Sequence, residues 1–271
     1  MRVRPMRSED LDDAGRVATA DGSIDGDAWE RRAAHLLRQD AAGCWVAEGA
    51  GRVLGVALSL RRELLWALPV LAVLPEGRGY GVGKALLEAA LGYSRGCLRG
   101  MGLPRDGSGA RRARLAGFHL HPTMRLTGVV DRSLLPVVEH VRDGVPGDFD
   151  LCDSVARQTR GAAHGVDHEV LVREGYLLLC DTFTGSAFAY VAEAGPLVVA
   201  GTSRLLAQRV LWEALARSAP GSTVEVPHLT ADQDWAVEVG LAAGLSVEPH
   251  GWIALRHMRP PSPYVPSSAV L

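Results

Sequence analysis

Leu65-Trp66-Ala67-Leu68-Pro69-Val70-Leu71-Ala72-Val73-Leu74, then Pro75-Glu76-Gly77-Arg78-Gly79-Tyr80-Gly81-Val82-Gly83-Lys84, then Ala85-Leu86-Leu87-Glu88-Ala89-Ala90-Leu91, is the stretch whose reading decides the fold. The apolar run has the length of a buried strand rather than a helix, and it stops at Pro75. Glycines then alternate at 79, 81 and 83, so side chains are missing where a ligand must approach the backbone. A helix beginning on that turn leaves its first N–H groups unpaired and pointing outward. With the positive end of the helix dipole behind them, such groups form an anion site. Arg78 and Lys84 bracket the turn with positive charge. The residues alone therefore describe a cradle for a phosphate or pyrophosphate.

Two common phosphate motifs fail on spacing. A P-loop needs Gly-x-x-x-x-Gly-Lys-Ser/Thr, but Arg78 stands at its first glycine and Ala85 at its hydroxyl. The dinucleotide fingerprint Gly-x-Gly-x-x-Gly starts at Gly79-Tyr80-Gly81 and then meets Lys84. What remains is Arg-Gly-x-Gly-x-Gly-Lys after a strand ending in Val73-Leu74-Pro75. In these residues the sequence resembles the GNAT superfamily of acyl-CoA-dependent N-acetyltransferases. The resemblance implies an α/β (α+β) fold, with a mixed, mostly antiparallel sheet flanked by helices. It implies that the turn amides hold the pyrophosphate of acetyl-CoA and that the strand before them pairs with the pantetheine arm. The cofactor-side residues it assigns are Ala72, Val73, Leu74, Arg78, Gly79, Tyr80, Gly81, Val82, Gly83, Lys84 and Asp106.

The bulk properties set the frame. A chain of 271 residues is large for one domain and comfortable for two. A net charge of −2 gives no basic field of the kind a nucleic-acid protein shows. Cys44, Cys97, Cys152 and Cys180 lie far apart with no Cys-x-x-Cys, so neither a zinc site nor a disulfide framework is expected. Met1-Arg2-Val3-Arg4-Pro5 carries charge without an apolar core, unlike a signal peptide. No run approaches the roughly 18 apolar residues of a membrane span. The expectation is a cytoplasmic protein without nucleic-acid or membrane partners, as a monomer or homodimer.

Outward from the central stretch, residues 2–6 read as a first strand, and Ser8 with the acids after it opens a helix. A second helix spans about 27–40, and Gly49-Ala50-Gly51 joins two strands as a hairpin. Pro69 cannot donate to a ladder, so it marks a bulge or an edge. A strand around Cys97–Leu103 precedes a helix over Ala110–Ala116, closed by Gly117-Phe118. This last segment resembles the second family motif, Asn-x-x-Ala-x-x-x-Tyr-x-x-x-Gly-Phe. Asp106 stands at the Asn position, Gly109 at the Ala position and Ala113 at the Tyr position. In many members that Tyr returns a proton to the coenzyme A thiolate, and Ala113 has none to give.

The order strand, turn, helix recurs at Gly195–Thr202 and Ser203–Arg217, with Val210–Leu215 matching Leu86–Leu91 and Ala243-Gly244-Leu245 matching Ala116-Gly117-Phe118. Self-similarity of this kind indicates two units of one fold in tandem. The second turn keeps a single glycine, Gly201, so fewer bare amides can converge there. The expected division is 1–126 for a GNAT domain with the acetyl-CoA site, 127–258 for a degenerate copy and 259–271 for an extended tail, with the crossing between units near Pro122–Ser133.

Trp235 reads as core. His164 and His168 flank Asp167, but Gly165 interrupts any helix and no third ligand is visible, so no metal is expected. The proline-rich tail carries apolar anchors at Tyr264, Val265 and Val270-Leu271, and the Leu271 carboxylate is a candidate base, as in some tandem members of the family. Glu63 is the other candidate base, although beside Arg61 and Arg62 it fits a surface carboxylate better. The expected function is transfer of an acetyl group from acetyl-CoA to the amine of a small-molecule or peptide acceptor. The alternative is a non-catalytic acyl-CoA-binding sensor or interaction protein.

Overall fold

The structure, a computed structural model, describes residues 1–20, 24 and 26–268. The first part of the chain runs β1 (Arg2–Pro5), α1 (Leu11–Thr19), α2 (Gly26–Gln39), β2 (Cys44–Gly49), β3 (Arg52–Arg62), β4 (Leu65–Val73), α3 (Val82–Gly92), β5 (Arg99–Gly102), α4 (Gly107–Leu115) and β6 (His119–Val129). It continues as β7 (Val141–Asp143), α5 (Phe149–Thr159), α6 (His168–Glu174), β8 (Tyr176–Thr182), β9 (Gly185–Ala192), β10 (Gly195–Gly201), α7 (Arg204–Ala216), β11 (Thr223–Leu229), α8 (Asp234–Ala242), β12 (Ser246–Arg256) and β13 (Tyr264–Val265). The strand, turn and helix read from 65–91 are thus β4, its following loop and α3.

The strands form two sheets, one ordered β1-β2-β3-β4-β5-β12-β6-β11 and one ordered β13-β10-β9-β8-β7. Neighbours are antiparallel except β4 and β5, which run parallel. The two halves interleave in the first sheet. β12 lies between β5 and β6, with Ala254 opposite both Gly102 and Leu120, and β6 in turn pairs with β11. Position 126, where the sequence suggests dividing the chain, falls inside β6 opposite Val226 of β11 and Val247 of β12.

Three apolar clusters follow from this layering. One lies under α3 and α4 and contains Trp66, Leu86, Leu87 and Phe118. Another lies under α7 and α8, where Trp235 is buried as its sequence context predicts. The largest joins both halves through residues such as Leu36, Val56, Leu171 and Tyr190. Strand alternation explains the division, because Trp66 and Leu71 of β4 face α3 while Leu65 and Ala67 face the joint core.

Inside the joint core sits a charged knot. Arg62 donates from Nε to Asp167 Oδ2 at 2.7 Å and from Nη1 to Asp40 Oδ2 at 2.9 Å, and it makes a further contact through Nη2 to Asp167. His35 Nε2 meets Asp167 Oδ1 at 2.9 Å, and the Tyr93 hydroxyl donates to Asp40 at 3.0 Å. Both carboxylates are buried, so each depends on Arg62 for its counter-charge. Removing one partner of a buried pair leaves an uncompensated charge, at a cost of about 3–5 kcal/mol. Arg62→Met is expected to lower the unfolding free energy by that amount in urea titrations, and a loss below about 1 kcal/mol would contradict this reading.

Among the described residues no helix is long and apolar enough to cross a membrane.

Candidate functional site

The site begins with a strand paired fully on one side only. β4 follows β3 along its length but meets β5 only from Leu65 opposite Arg99 to Leu68 opposite Gly102. From Pro69 onward its second edge is open. Pro69 also lies in a bulge, since Leu58 pairs with Val70 and Leu60 with Ala67, leaving Leu68 and Pro69 opposite Ser59 alone. The sequence reading of Pro69 as bulge or edge is thus met in both senses.

Backbone alternation shows which groups face the open side. In an antiparallel pair, alternate residues turn both N–H and C=O toward the partner. Leu74 donates its N–H to the Leu54 carbonyl at 2.9 Å, so Val70, Ala72 and Leu74 face β3. Leu71 and Val73 therefore direct their backbone groups into the opening, and Arg78 Nε lies 3.4 Å from the Val73 carbonyl oxygen. Of the three cofactor-side residues expected on this segment, Val73 thus turns its backbone to the opening, whereas the N–H groups of Ala72 and Leu74 belong to the β3 ladder. The motif does not reveal Leu71, since the phase of the ladder depends on pairing with Leu54, which lies outside it.

The loop comes next. A single 3₁₀ turn over Pro75–Gly77 is closed by Gly77 N–H to the Leu74 carbonyl at 2.9 Å and Arg78 N–H to the Pro75 carbonyl at 3.1 Å. Gly79 and Gly81 then adopt φ of +83° and +79°, which L side chains rarely tolerate. The first helical bond of α3 runs from Ala85 N–H to the Gly81 carbonyl at 3.0 Å. Among the described residues, no group accepts a hydrogen bond from the N–H of any residue from 79 to 84. A Cβ built on Gly79 or Gly81 would meet nothing within 4 Å, so no neighbour crowds these two positions. Successive free N–H groups at a helix start make an anion-binding concavity.

The open edge and the loop face one cavity of about 480 Å³. Its charged lining is Arg78, Lys84, Arg105 and Arg112 against the single acid Asp106. Asp106 caps α4, accepting from Gly109 N–H at 2.6 Å and from the Ser108 hydroxyl at 2.9 Å. Partial burial raises its pKa, but those donors and the charges of Arg112 and Arg78 outweigh that, so the carboxyl sits below its ordinary range. Gly83 lets α4 come close, because a Cβ there would stand 3.2 Å from the Arg112 guanidinium carbon. The apolar lining includes Trp66, Leu68, Leu71 and Phe118 on the α3 side and Val17, Ala18 and Ile24 from the α1 side.

The other sequence candidates fall outside. The Tyr80 side chain is 80% exposed and does not line the cavity. Glu63 is corrected as a base. It occupies the tight turn between β3 and β4, at the end of β4 remote from the loop, where Arg157 Nε donates to it at 2.7 Å. Antiparallel pairing of Arg62 with Leu65 forces it there. Leu271 lies outside the described residues. His168 bridges the Tyr190 hydroxyl at 2.6 Å and Asp153 at 3.0 Å, and His164 Nε2 lies 3.3 Å from the Tyr264 hydroxyl. Among the described residues no group of three or more His, Cys, Asp or Glu side chains could hold a metal ion.

The corresponding place in the second half is closed. Only Thr202 and Ser203 join β10 to α7, and the Ser203 hydroxyl accepts the Leu206 N–H at 3.4 Å. On the edge of β10 away from β9, the tail supplies β13, with Val199 opposite Val265 and Ala200 opposite Tyr264. The tail is thus ordered structure through these residues, with Tyr264 and Val265 both buried.

Residues 40–117 match the model of the acetyltransferase (GNAT) domain. An assigned acetyltransferase from Pyrococcus horikoshii superposes with a TM-score of 0.79 at 14% identity, over 100% of this chain and 94% of its own. A GCN5-related N-acetyltransferase from Sphaerobacter thermophilus gives 0.63 at 14% identity, over 99% and 98%. A tandem GNAT protein from the clavulanic acid biosynthesis pathway gives 0.57 at 16% identity, over 94% and 98%. At these identities the likeness is one of fold. No curated protein matches the chain significantly.

The geometry carries a stability prediction of its own. A side chain at Gly81 must adopt a left-handed backbone, costing about 1–2 kcal/mol. Gly81→Ala is expected to lose that much in denaturant unfolding; an unchanged midpoint would show that the turn is not held in this conformation.

Proposed function

We propose that this chain, a GNAT-type protein by domain match and fold, is an N-acyltransferase that moves the acyl group of a coenzyme A thioester to an amine. The observation that carries the reading is the meeting in one cavity of the unbonded N–H groups of Gly79 and residues 81 to 84 with the edge of β4 that no strand covers. A diphosphate fits the first, helped by Arg78 and Lys84. The pantetheine arm fits the second as an added strand, its amides meeting the Val73 and Leu71 backbone. Aligned this way, the thioester lies beyond Val73, and the Leu71 N–H is the donor placed to polarise its carbonyl. Asp106 contributes by fixing the start of α4, which carries Arg112 to the cavity.

The amine nitrogen attacks the thioester carbon, a C–N bond forms, and the C–S bond breaks. The sulfur leaves as thiolate and takes up the proton that the new ammonium releases, giving an amide and free coenzyme A. Among the described residues the cavity lining holds no His, Tyr, Cys or Glu, and Asp106 is occupied as a cap. Ala113 lines the cavity without a proton to offer. On this reading solvent mediates the proton transfer, and rate depends on positioning rather than on a side-chain acid or base. The same bare lining favours a second reading, a coenzyme A-thioester sensor that binds without turnover.

Calorimetric titration with coenzyme A, followed by thiol release from acetyl-CoA with a panel of amines, separates these outcomes. The expected result is one tight site per chain, amine-dependent thiol release, and about tenfold weaker binding in Arg78→Ala, the loss of one charge-assisted hydrogen bond. Binding without turnover on any amine would select the sensor, and absence of binding would overturn both. Glu63→Gln is expected to leave kcat/KM unchanged across pH, because its side chain lies outside the cavity.

A further inference from the structure

One cation at the cavity comes from outside the glycine-rich loop. Helix α4 carries Arg111, Arg112 and Arg114, and of these only Arg112 lines the cavity, while Arg111 and Arg114 are exposed. The second family motif leaves position 112 unspecified, so the resemblance assigns it no role. Asp106 caps α4 six residues earlier and fixes the start of the helix that presents Arg112. The Arg112 Nε is buried and has no hydrogen-bond partner among the described residues. A buried donor without an acceptor is destabilising. This one is kept at the border of an anion site.

Its place relative to the loop amides decides what it can meet. A Cβ at Gly83 would stand 3.2 Å from both Cζ and Nε of Arg112 and 3.4 Å from Nη1. At a helix start the free N–H groups point along the axis, whereas a Cβ projects from the side of the helix. The guanidinium thus lies on the flank of the first turn of α3, beside the amides rather than in front of them. A diphosphate held by those amides, with Arg78 and Lys84 at the loop, sits in front of the turn. Coenzyme A carries a third phosphoryl group, on the 3′ oxygen of its ribose, one sugar ring to the side of the diphosphate. That group is a phosphate monoester with a charge of about −1.5 to −2 at pH 7. A guanidinium offers such a group paired donors in one plane, which an ammonium does not.

We infer that Arg112 binds the ribose 3′-phosphate and makes the site selective for coenzyme A thioesters over ligands that carry the diphosphate alone. The inference rests on the coenzyme A reading above. It adds a phosphate site on α4 to the diphosphate site at α3.

The test is calorimetric titration of the full chain with coenzyme A and with 3′-dephospho-coenzyme A, which differ in that phosphoryl group alone. A charge-assisted hydrogen bond corresponds to about tenfold or more in affinity, so coenzyme A is expected to bind more tightly by that factor. In Arg112→Met, which keeps an apolar stem against Gly83, the ratio should fall to about threefold or less. Arg78→Ala should weaken both ligands alike and preserve the ratio. Arg111→Met, on the exposed side of α4, should leave the ratio unchanged. Using a ratio within each protein removes any general loss of affinity caused by the substitution. If neither ligand binds the wild-type chain, the coenzyme A reading falls and this inference with it. If both bind within about threefold of each other, or the preference survives in Arg112→Met, the 3′-phosphate assignment alone is overturned. It is overturned too if Arg111→Met lowers the ratio as far as Arg112→Met, since the preference then comes from the general charge of α4.

Discussion

The interaction on which the rest of the structure turns is one that the protein does not make with itself. β4 is zipped to β3 on one edge and released from β5 after Leu68, and the helix that follows starts on two left-handed glycines with its first amides unclaimed. Residues 78–81 and 84 are exposed, so water satisfies the unpaired loop groups and a ligand can replace it. Pro69 keeps β5 from closing the gap, since its ring removes the donor that a continuing ladder would need. Gly79 and Gly81 keep the amides in front of α3 accessible, and Gly83 lets Arg112 lie against the helix. Each of these residues opens the same cavity by a different physical means.

The second half shows what the same frame becomes when those means are withdrawn. β10 and α7 are joined by two residues, so there is no loop in which amides could converge. Ser203 satisfies one helix-start N–H from within the chain, and β13 covers the edge that β4 leaves bare. The tail's Tyr264 and Val265 thus complete the second sheet, while the first is completed by exchange, with β12 between β5 and β6. That exchange and the Arg62 knot tie the halves together, and the cavity's Ala254 belongs to the exchanged strand. The second half therefore builds part of the first half's site.

Much of this was legible in the sequence, for definable reasons. The strand, the turn and the helix of 65–91 are local, and glycines alternating between an apolar run and a helical run bare the backbone at one defined place. The internal repeat gave the second unit, and the reduced turn at Gly201 gave its lack of a cradle. What escaped depended on pairing between distant segments. Leu71 rather than Ala72 turns its backbone N–H to the opening because Leu74 is bonded to Leu54, a phase no motif records. Glu63 is close to the motif strand in sequence, but the register of Arg62 with Leu65 fixes it at the far turn. The insertion of β12 joins residues such as Met101 and Leu255, and no local pattern marks that contact.

The central claim is that the N–H groups of residues 79 to 84 are free in order to hold a diphosphate. A crystal structure of the full chain with coenzyme A tests it most directly. The account predicts diphosphate oxygens within hydrogen-bonding distance, about 2.7–3.2 Å, of several of these nitrogens, with the pantetheine amides alongside Leu71 and Val73. Coenzyme A bound elsewhere, or these amides turned to partners within the protein while the ligand is present, would contradict it.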